Sequence, residues 1–251
     1  MTPGVIGLAA SCGYDELAVH SRPRAAVLVF GDELLTEGVP RDGRIRDSLG
    51  PSLPSWLRRL GAAADGPIGP VQDTLDAHVD AIRSALDSGA DVVCTTGGTM
   101  HGPVDHLHPA LAKIGAEYVV NTVAVRPGFP MLLARLPGDR FLAGLPGNPQ
   151  SAIVALMSLV EPLLAGLSGR REPPTPTVTL GAEVPGRGDF THLALVRRDG
   201  TRMFPVKHTG SSMLRGLAQA AGFAVVAPGA AQPAGAQVPL VPLPLLDGER
   251  S

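Results

Sequence analysis

The chain has 251 residues, of which 44% are hydrophobic, so it can form one large α/β domain or a medium domain with a smaller one. A net charge of -2 and only 4% aromatic residues argue against nucleic acid or an anionic membrane as the main partner. We expect no apolar run long enough to span a bilayer. Cys12 and Cys94 are the only cysteines, so we also expect no disulfide framework and no zinc site, and a cytoplasmic location is the simplest interpretation.

Predicted strands and helices alternate over the first two thirds of the chain. A short helical or irregular leader covers residues 1–23, and the apolar run at 25–30 predicts a buried strand. Further strands are predicted at 91–94, 118–125 and 141–145, with helices at 54–60, 73–88, 107–114 and 151–167. This alternation predicts an α/β fold with a three-layer, doubly wound, mostly parallel sheet over residues 24–169.

The composition changes after residue 169. Residues 170–176 form a Pro-rich linker, and short apolar runs follow at 177–182, 191–196, 224–226 and 238–242, with one helix at 211–220. We interpret residues 177–251 as a small β-domain.

The most informative stretch is the turn after the strand at 91–94. Thr95-Thr96-Gly97-Gly98-Thr99 leads, over a few residues, to Asp105 and then to the helix at 107–114. Backbone N–H groups at such a turn, together with the helix dipole, favour a bound anion. A carboxylate a few residues further on can hold a divalent cation beside a phosphate. The alternative is a tight turn without a ligand, and the neighbouring motifs favour the ligand.

Acid-bearing and Gly-rich turns follow other predicted elements as well. Asp32 and Glu33 come after the first strand, Asp73 opens a helix, and Pro146 to Pro149 follow the strand at 141–145. Ligands of parallel sheets bind outside the carboxyl ends of the strands, so we expect these turns to share one site. A solvated acid pair is the alternative interpretation of Asp32 and Glu33, and a helix N-cap is that of Asp73.

The order of these motifs resembles the molybdopterin-binding domain of the molybdopterin molybdenumtransferase family. The motifs are Gly31-Asp32-Glu33-Leu34, Arg46-Asp47-Ser48, Asp73, the Gly97-Gly98 turn with Asp105, Arg126-Pro127-Gly128 and Leu145-Pro146-Gly147-Asn148-Pro149. Gly188-Asp189-Phe190 and Gly210-Ser211-Ser212 are similar to motifs of that family's small C-terminal β-barrel domain. The resemblance covers nearly the whole chain and implies a β-barrel over residues 177–251.

The resemblance also implies an activity and a set of site residues. The activity is insertion of molybdate into adenylylated molybdopterin with release of AMP, assisted by Mg²⁺, in a homodimer. The implied catalytic residues are Asp73 and Asp105, and the implied metal ligands are Asp32, Glu33 and Asp105. The implied substrate-binding residues are Gly97, Gly98, Thr99, Arg126, Pro146, Gly147, Asn148, Ser151 and Ser211.

Several positions depart from the family pattern. Phe129 stands where the family has a second lysine, His192 where it has an arginine, and Leu49 where it has an asparagine. Loss of two cations weakens the expected binding of molybdate, an anion, so pterin binding is better supported than molybdate insertion. The family also has two further domains before this region, which we expect to be missing here.

Two other interpretations therefore stay open. The first is a molybdopterin-binding carrier, or a half-site subunit completed by a partner that supplies the missing domains. The second is a molybdopterin adenylyltransferase, against which the predicted C-terminal domain counts. His101, His106 and His108 near the central turn could suggest a metal site, but we interpret them as polar rim residues, with His108 in a place where the family tends to have lysine.

Overall fold

The computed structural model describes residues 1–100, 105–171, 174–207, 210 and 214–245. The helices are α1 (Pro3–Ser11), α2 (Leu53–Arg59), α3 (Leu75–Asp87), α4 (Leu107–Ile114), α5 (Pro149–Ala155), α6 (Glu161–Leu167) and α7 (Leu214–Leu217), with a π-helical turn (Leu156–Val160) between α5 and α6. The first ten strands are β1 (Arg24–Phe30), β2 (Leu34–Leu35), β3 (Ile45–Arg46), β4 (Ala63–Ala64), β5 (Ile68–Val71), β6 (Val92–Thr96), β7 (Glu117–Asn121), β8 (Val125–Arg126), β9 (Leu132–Leu136) and β10 (Arg140–Leu145). The last five are β11 (Thr177–Leu180), β12 (Thr191–Asp199), β13 (Arg202–Pro205), β14 (Gly222–Val226) and β15 (Gln237–Pro242).

The first sheet forms the centre of a three-layer α/β unit. Its strand order is β4-β1-β6-β10-β9-β7, with β5 beside β1. Strands β4, β5 and β6 run parallel to β1, β10 runs parallel to β6, and β9 and β7 are antiparallel. Buried side chains of α3 and α4 pack on one face, and those of α2 and α5 pack on the other. The predicted three-layer, mostly parallel sheet is therefore confirmed.

The second sheet closes on itself into a small β-barrel. Its strand order is β13-β11-β15-β14-β12, and β12 pairs with β13 to complete the circle. The barrel interior holds apolar side chains such as Leu180, Val196 and Met203, all nearly or fully buried. The β-barrel expected in the C-terminal part of the chain is confirmed.

The prediction of one strand over residues 118–125 was wrong. Strand β7 ends at Asn121, and Thr122 adopts a left-handed backbone conformation with φ 68°. After this break, β8 leaves the first sheet and pairs with β12 of the barrel. Strands β9 and β13 were not predicted at all. The segment around β8 therefore connects the two units by backbone pairing.

The stretch Pro149–Leu167 is, by length and composition, apolar enough to cross a membrane, which corrects our expectation that no segment reaches that length. The structure places 67% of its most apolar window inside the fold. Ile153, Val154 and Leu156 of this stretch are at most 1% exposed. A core helix of a folded domain has these properties, and the burial accounts for the apolar composition.

Asp47, from a motif identified in the sequence, has a structural role. Its side chain is buried, and Oδ1 accepts hydrogen bonds from the N–H groups of Leu49 (3.0 Å) and Gly50 (2.9 Å). A Cβ atom added to Gly50 would collide with the same carboxylate. These bonds shape the turn that leads into α2, whose own N-cap residue, Ser52, makes no side-chain capping bond.

We therefore expect Asp47→Ala to lower the free energy of unfolding by about 1–3 kcal/mol, because two buried N–H groups lose their acceptor. Asp47→Asn keeps an acceptor oxygen and should lose less. Chemical denaturation measures the effect, with Asp80→Ala on the exposed face of α3 as the control. Equal denaturation midpoints for Asp47→Ala and the control would contradict this role.

Candidate functional site

A cleft of about 1250 Å³ lies between the α/β unit and the barrel. One wall is formed by the turns after β6 and β10 and by the start of α5, all at the carboxyl ends of the parallel strands. The other wall is formed by barrel residues from Val184 to Leu195 and by Pro205 and Val206. The segment Arg126 to Pro130 lies between the two walls. We call this space the cleft.

The Gly97-Gly98 turn has a shape that only glycine adopts easily. Both residues lie in the left-handed region, with φ 81° and φ 67°. The Gly97 N–H donates a 2.9 Å hydrogen bond to the Leu145 carbonyl, which ties this turn to the end of β10. A Cβ added to Gly98 would lie 3.3 Å from Leu107 Cβ, so the turn also packs closely against α4. The backbone is thus exposed to the cleft without intervening side chains.

The start of α5 faces the same space. Asn148 is its N-cap residue and makes no side-chain capping bond, Pro149 begins the helix, and Gln150 and Ser151 line the cleft while each is only 4% exposed. A Cβ on Gly147 would lie 3.8 Å from the Gly97 Cα, so the two turns are in contact. The positive end of the helix dipole favours an anion at this place.

The barrel wall carries basic groups. His192 on β12 is the register partner of Arg126 on β8, and both line the cleft together with Arg187. The His192 Nδ1 atom lies 2.7 Å from the Pro185 carbonyl oxygen and donates to it in the tautomer that carries the proton there. Burial lowers the pKa of His192, the bond to Pro185 raises it, and the nearby charge of Arg187 lowers it further. The net effect favours a neutral imidazole.

Arg126 is held by two aromatic rings. Its guanidinium carbon lies 4.5 Å from the centre of the Phe190 ring and 5.5 Å from that of Phe129, and the two rings meet edge to face at 5.7 Å. Cation–π contacts of this kind restrict the guanidinium without neutralising its charge. Phe129 therefore supplies no charge to the cleft but helps to orient Arg126.

The structure brings most of the predicted substrate-binding residues together. Those that line the cleft, with the predicted catalytic residue Asp105, are Gly97, Gly98, Thr99, Arg126, Pro146, Gly147, Asn148 and Ser151. Ser211 lies outside the described residues. Arg187 and Gln150 were not predicted. The charge of Arg187 beside the glycine motif was a usable signal, whereas Gln150 is an isolated polar residue in an apolar helix.

The other predicted acids form a neighbouring group that does not line the cleft. The Asp32 N–H donates a 3.2 Å hydrogen bond to Asp73 Oδ2, which joins the turn after β1 to the approach to α3. The Glu33 carboxylate folds back toward Gly31. Thr74, whose hydroxyl accepts from the Ala77 N–H at 3.3 Å, is the N-cap residue of α3, so the alternative interpretation of Asp73 as the N-cap was wrong.

The acids do not form a ready metal cage. Within the part of the chain that the structure describes, no three His, Cys, Asp or Glu side chains are grouped to hold a metal ion. Carboxylate oxygens suit Mg²⁺, but a Mg²⁺ ion here would need phosphate oxygens or water to complete its shell.

The histidines near the central turn have separate contacts. His108 Nδ1 lies 2.6 Å from the Tyr118 hydroxyl and its Nε2 lies 3.5 Å from the Thr99 carbonyl oxygen, so it links α4 to β7 and to the turn. His106 meets the ring of His78 edge to face at 5.7 Å. His101 lies outside the described residues.

Two family models match this chain. A probable molybdopterin binding domain matches residues 26–166, which is more than half of the chain, and the MoeA C-terminal region (domain IV) matches residues 177–243. The matched ranges lie within the units predicted at 24–169 and 177–251.

Curated relatives and solved structures agree with these models. The molybdopterin molybdenumtransferase of Staphylococcus aureus (strain MRSA252) is 35% identical over 173 residues, covering 68% of this chain and 41% of the relative. The molybdopterin molybdenumtransferase of Staphylococcus epidermidis (strain ATCC 12228) is 31% identical over 224 residues, covering 86% of this chain and 53% of the relative. The chain thus spans about half the length of the curated relatives it matches. The molybdopterin biosynthesis moeA protein of Pyrococcus horikoshii has a similar fold, with a TM-score of 0.79 at 23% identity over 98% of this chain and 60% of that one.

We expect stability to fall as the pH drops below the ordinary histidine pKa of about 6.5. Burial lowers the pKa of His192 in the folded chain. Between the ordinary and the lowered pKa the unfolded chain binds a proton that the folded chain does not, so the free energy of unfolding decreases as the pH falls through this range. His192→Asn keeps a donor for Pro185 but cannot titrate. Its melting temperature should therefore change less between pH 7.5 and 5.5 than that of the wild type.

Thermal denaturation across this pH range measures the difference. Substitution of the exposed His20 by Asn is the matched control and should leave the pH dependence of the melting temperature as it is in the wild type. An unchanged pH dependence in His192→Asn would contradict the expectation.

Proposed function

Since the chain belongs to the MoeA family, we propose that it acts in molybdenum cofactor synthesis and inserts molybdate into adenylylated molybdopterin with release of AMP. The observation that carries this proposal is the composition of the cleft. A Gly-rich turn and an uncapped helix start face basic side chains across a space large enough for a dinucleotide-sized ligand. Such a cleft suits a ligand with phosphates in its middle and rings at both ends.

The proposed chemistry divides between the two walls. The phosphate bridge of the substrate lies at the Gly97-Gly98 turn and the start of α5, where backbone N–H groups and the helix dipole favour its charge. Arg126 and Arg187 attract molybdate from the barrel side. A water molecule attacks the phosphorus on the pterin side of the phosphoanhydride, its oxygen stays on that phosphorus, and the bond to AMP breaks so that AMP leaves. The two pterin thiols form two bonds to the molybdenum of the molybdate substrate, and one molybdate oxygen leaves as water with the two thiol protons. Asp105, half-buried at the cleft, accepts the proton of that water.

The neighbouring acids also take part in the proposed reaction. Asp73 acts as the second catalytic residue, and Asp32, Glu33 and Asp105 are the residues that would hold Mg²⁺ together with substrate phosphates.

We further propose a cytoplasmic homodimer. The exposed apolar side chains Tyr118 and Val119 on β7, which ends the strand order of the first sheet, offer a surface for self-association. The molecular mass in solution tests this.

The second candidate function is a molybdopterin carrier or half-site that needs a partner for turnover. Phe129 in the cleft and the neutral state favoured for His192 support it, because both reduce the charge available for molybdate. Adenylyltransferase activity is less well supported, since the matched C-terminal region (domain IV) is a feature of the MoeA family.

The deciding experiment is AMP release from adenylylated molybdopterin by the purified chain with Mg²⁺ and molybdate. We expect molybdate-dependent release, and we expect Asp105→Asn to lower its rate by about 10²-fold or more, because the general base is lost. Asp80→Asn on the exposed face of α3 is the matched control. Unchanged turnover in Asp105→Asn would contradict the role of Asp105, and ligand binding without any release by the wild type would favour the carrier.

Restoring a positive charge in the cleft should improve molybdate use. Phe129→Lys adds an ammonium group to the cleft, while Phe190, the nearer of the two rings at 4.5 Å, still holds Arg126. We therefore expect the KM for molybdate to fall by roughly 3- to 10-fold at low ionic strength. Val39→Lys adds the same charge at an exposed loop position that does not line the cleft, and it serves as the control. An equal change of KM in both variants would show that net charge alone, and not the cleft, is responsible.

A further inference from the structure

His78 is a buried titratable residue that the proposed chemistry does not use. It lies on α3, is 1% exposed, and neither ring nitrogen has a hydrogen-bond partner among the described residues. Its ring stacks on Phe30 with a centroid distance of 3.8 Å and an interplanar angle of 12°. An imidazole without hydrogen bonds is costly to bury, and a leucine at this position would have no such cost. The residue type therefore needs an explanation other than packing.

The polar group nearest to the ring belongs to Asp73. The His78 Nε2 atom lies 3.6 Å from Asp73 Oδ1, which is just beyond hydrogen-bond length. The other carboxylate oxygen, Oδ2, accepts the N–H of Asp32. Asp73 thus stands between a backbone donor from the turn after β1 and a ring nitrogen from α3. Hydrogen bonds in functional sites are often long without substrate and shorten when it binds.

The surroundings of His78 favour a neutral ring. Burial lowers its pKa most, the Asp73 carboxylate raises it, and His106 lowers it. The nearness of the Asp73 carboxylate to Nε2 and the more distant charge of Asp32 also raise the pKa, by smaller amounts. A neutral imidazole carries one N–H, and the neighbouring carboxylate favours the tautomer with that proton on Nε2.

We propose that His78 is a positioning residue for Asp73: its ring, fixed by the Phe30 stack, aims Nε2–H at Oδ1 and holds the carboxylate in one orientation beside the turn after β1. The effect of this contact on catalysis rests on the proposed function, whereas the contact itself does not. His78 touches no substrate and acts through Asp73 alone. The Asp32 N–H and the His78 ring together restrict both oxygens of the carboxylate, and each is supplied by a different element of the fold.

Two variants of His78 test the proposal through stability and kinetics. His78→Leu should keep or raise the melting temperature, because a buried polar ring is removed, and should lower kcat for AMP release about 10-fold with little change in KM. His78→Gln places an amide N–H near the position of Nε2 and should recover most of kcat. Ile82→Val, a fully buried change on the same helix, is the packing control and should leave kcat unchanged. Equal kcat values for the Leu variant and the wild type, or equal losses in Leu and Gln, would overturn the proposal.

A readout without turnover separates this proposal from the proposed function. In ¹⁵N-labelled wild-type chain, long-range ¹H–¹⁵N spectra should show His78 as the neutral tautomer with the proton on Nε2. Asp73→Asn should change the ¹⁵N shifts of His78, whereas Asp76→Asn, an exposed change at the start of α3, should not. If the wild type releases no AMP, the proposed function fails while these spectra still decide the contact. A proton on Nδ1, or shifts unaffected by Asp73→Asn, would overturn the role of His78.

Discussion

One continuous apolar core fixes the position of the barrel on the α/β unit, and the cleft depends on it. Buried side chains of β1 and β6, of α5, and of the barrel strands β12 and β14 belong to a single cluster, in which Ile153, Leu195 and Phe223 are at most 1% exposed. The pairing of β8 with β12 adds a backbone connection at the border of this core. Because dense cores do not deform continuously, the two walls of the cleft are held at a set separation. A long apolar helix in a chain of this size is thus explained by contact with both units rather than by contact with lipid.

The contact between the α/β unit and the barrel also explains which parts of the fold could be predicted from the sequence. Strand β1 is evident as a short continuous apolar run, because both of its faces are buried, and helices α3 and α4 are evident from helical periodicity, because each buries one face against the first sheet. The break between β7 and β8 could not be predicted from the local sequence. Val119, Val120 and Val123 favour a single strand, whereas the structure has Thr122 in the left-handed conformation and β8 paired with the barrel. Strand β9, by contrast, was predictable, since a three-residue loop with Gly138 and Asp139 at positive φ joins it to β10 in a hairpin.

Some parts of the candidate site could likewise be predicted from the sequence and others could not. Turns rich in glycine and proline have strict backbone requirements, so they are recognisable in the sequence, and the topology brings them to the carboxyl ends of parallel strands. The pairing of Arg126 with His192 needed the structure, because it joins residues 66 positions apart through β8 and β12. It shows that the basic side of the cleft comes from the junction of the two units. Arg187 partly replaces the charge that Phe129 and a neutral His192 do not supply.

The distribution of buried polar atoms argues that this end of the sheet is maintained for function. Among the described residues, the buried side-chain atoms without a hydrogen-bond partner belong to Arg46, His78, Thr95 and Gln150. Thr95 lies near the end of β6, Gln150 follows the turn after β10, and Arg46 lies on β3, which pairs with the strand that follows the β1 turn. Each such group costs free energy in the folded chain, commonly about 1–3 kcal/mol. A sequence selected for stability alone would place apolar side chains at these positions, as in the centre of the sheet. Buried polar atoms without a hydrogen-bond partner, concentrated around the strand ends, are the arrangement expected of a surface that binds a polar ligand.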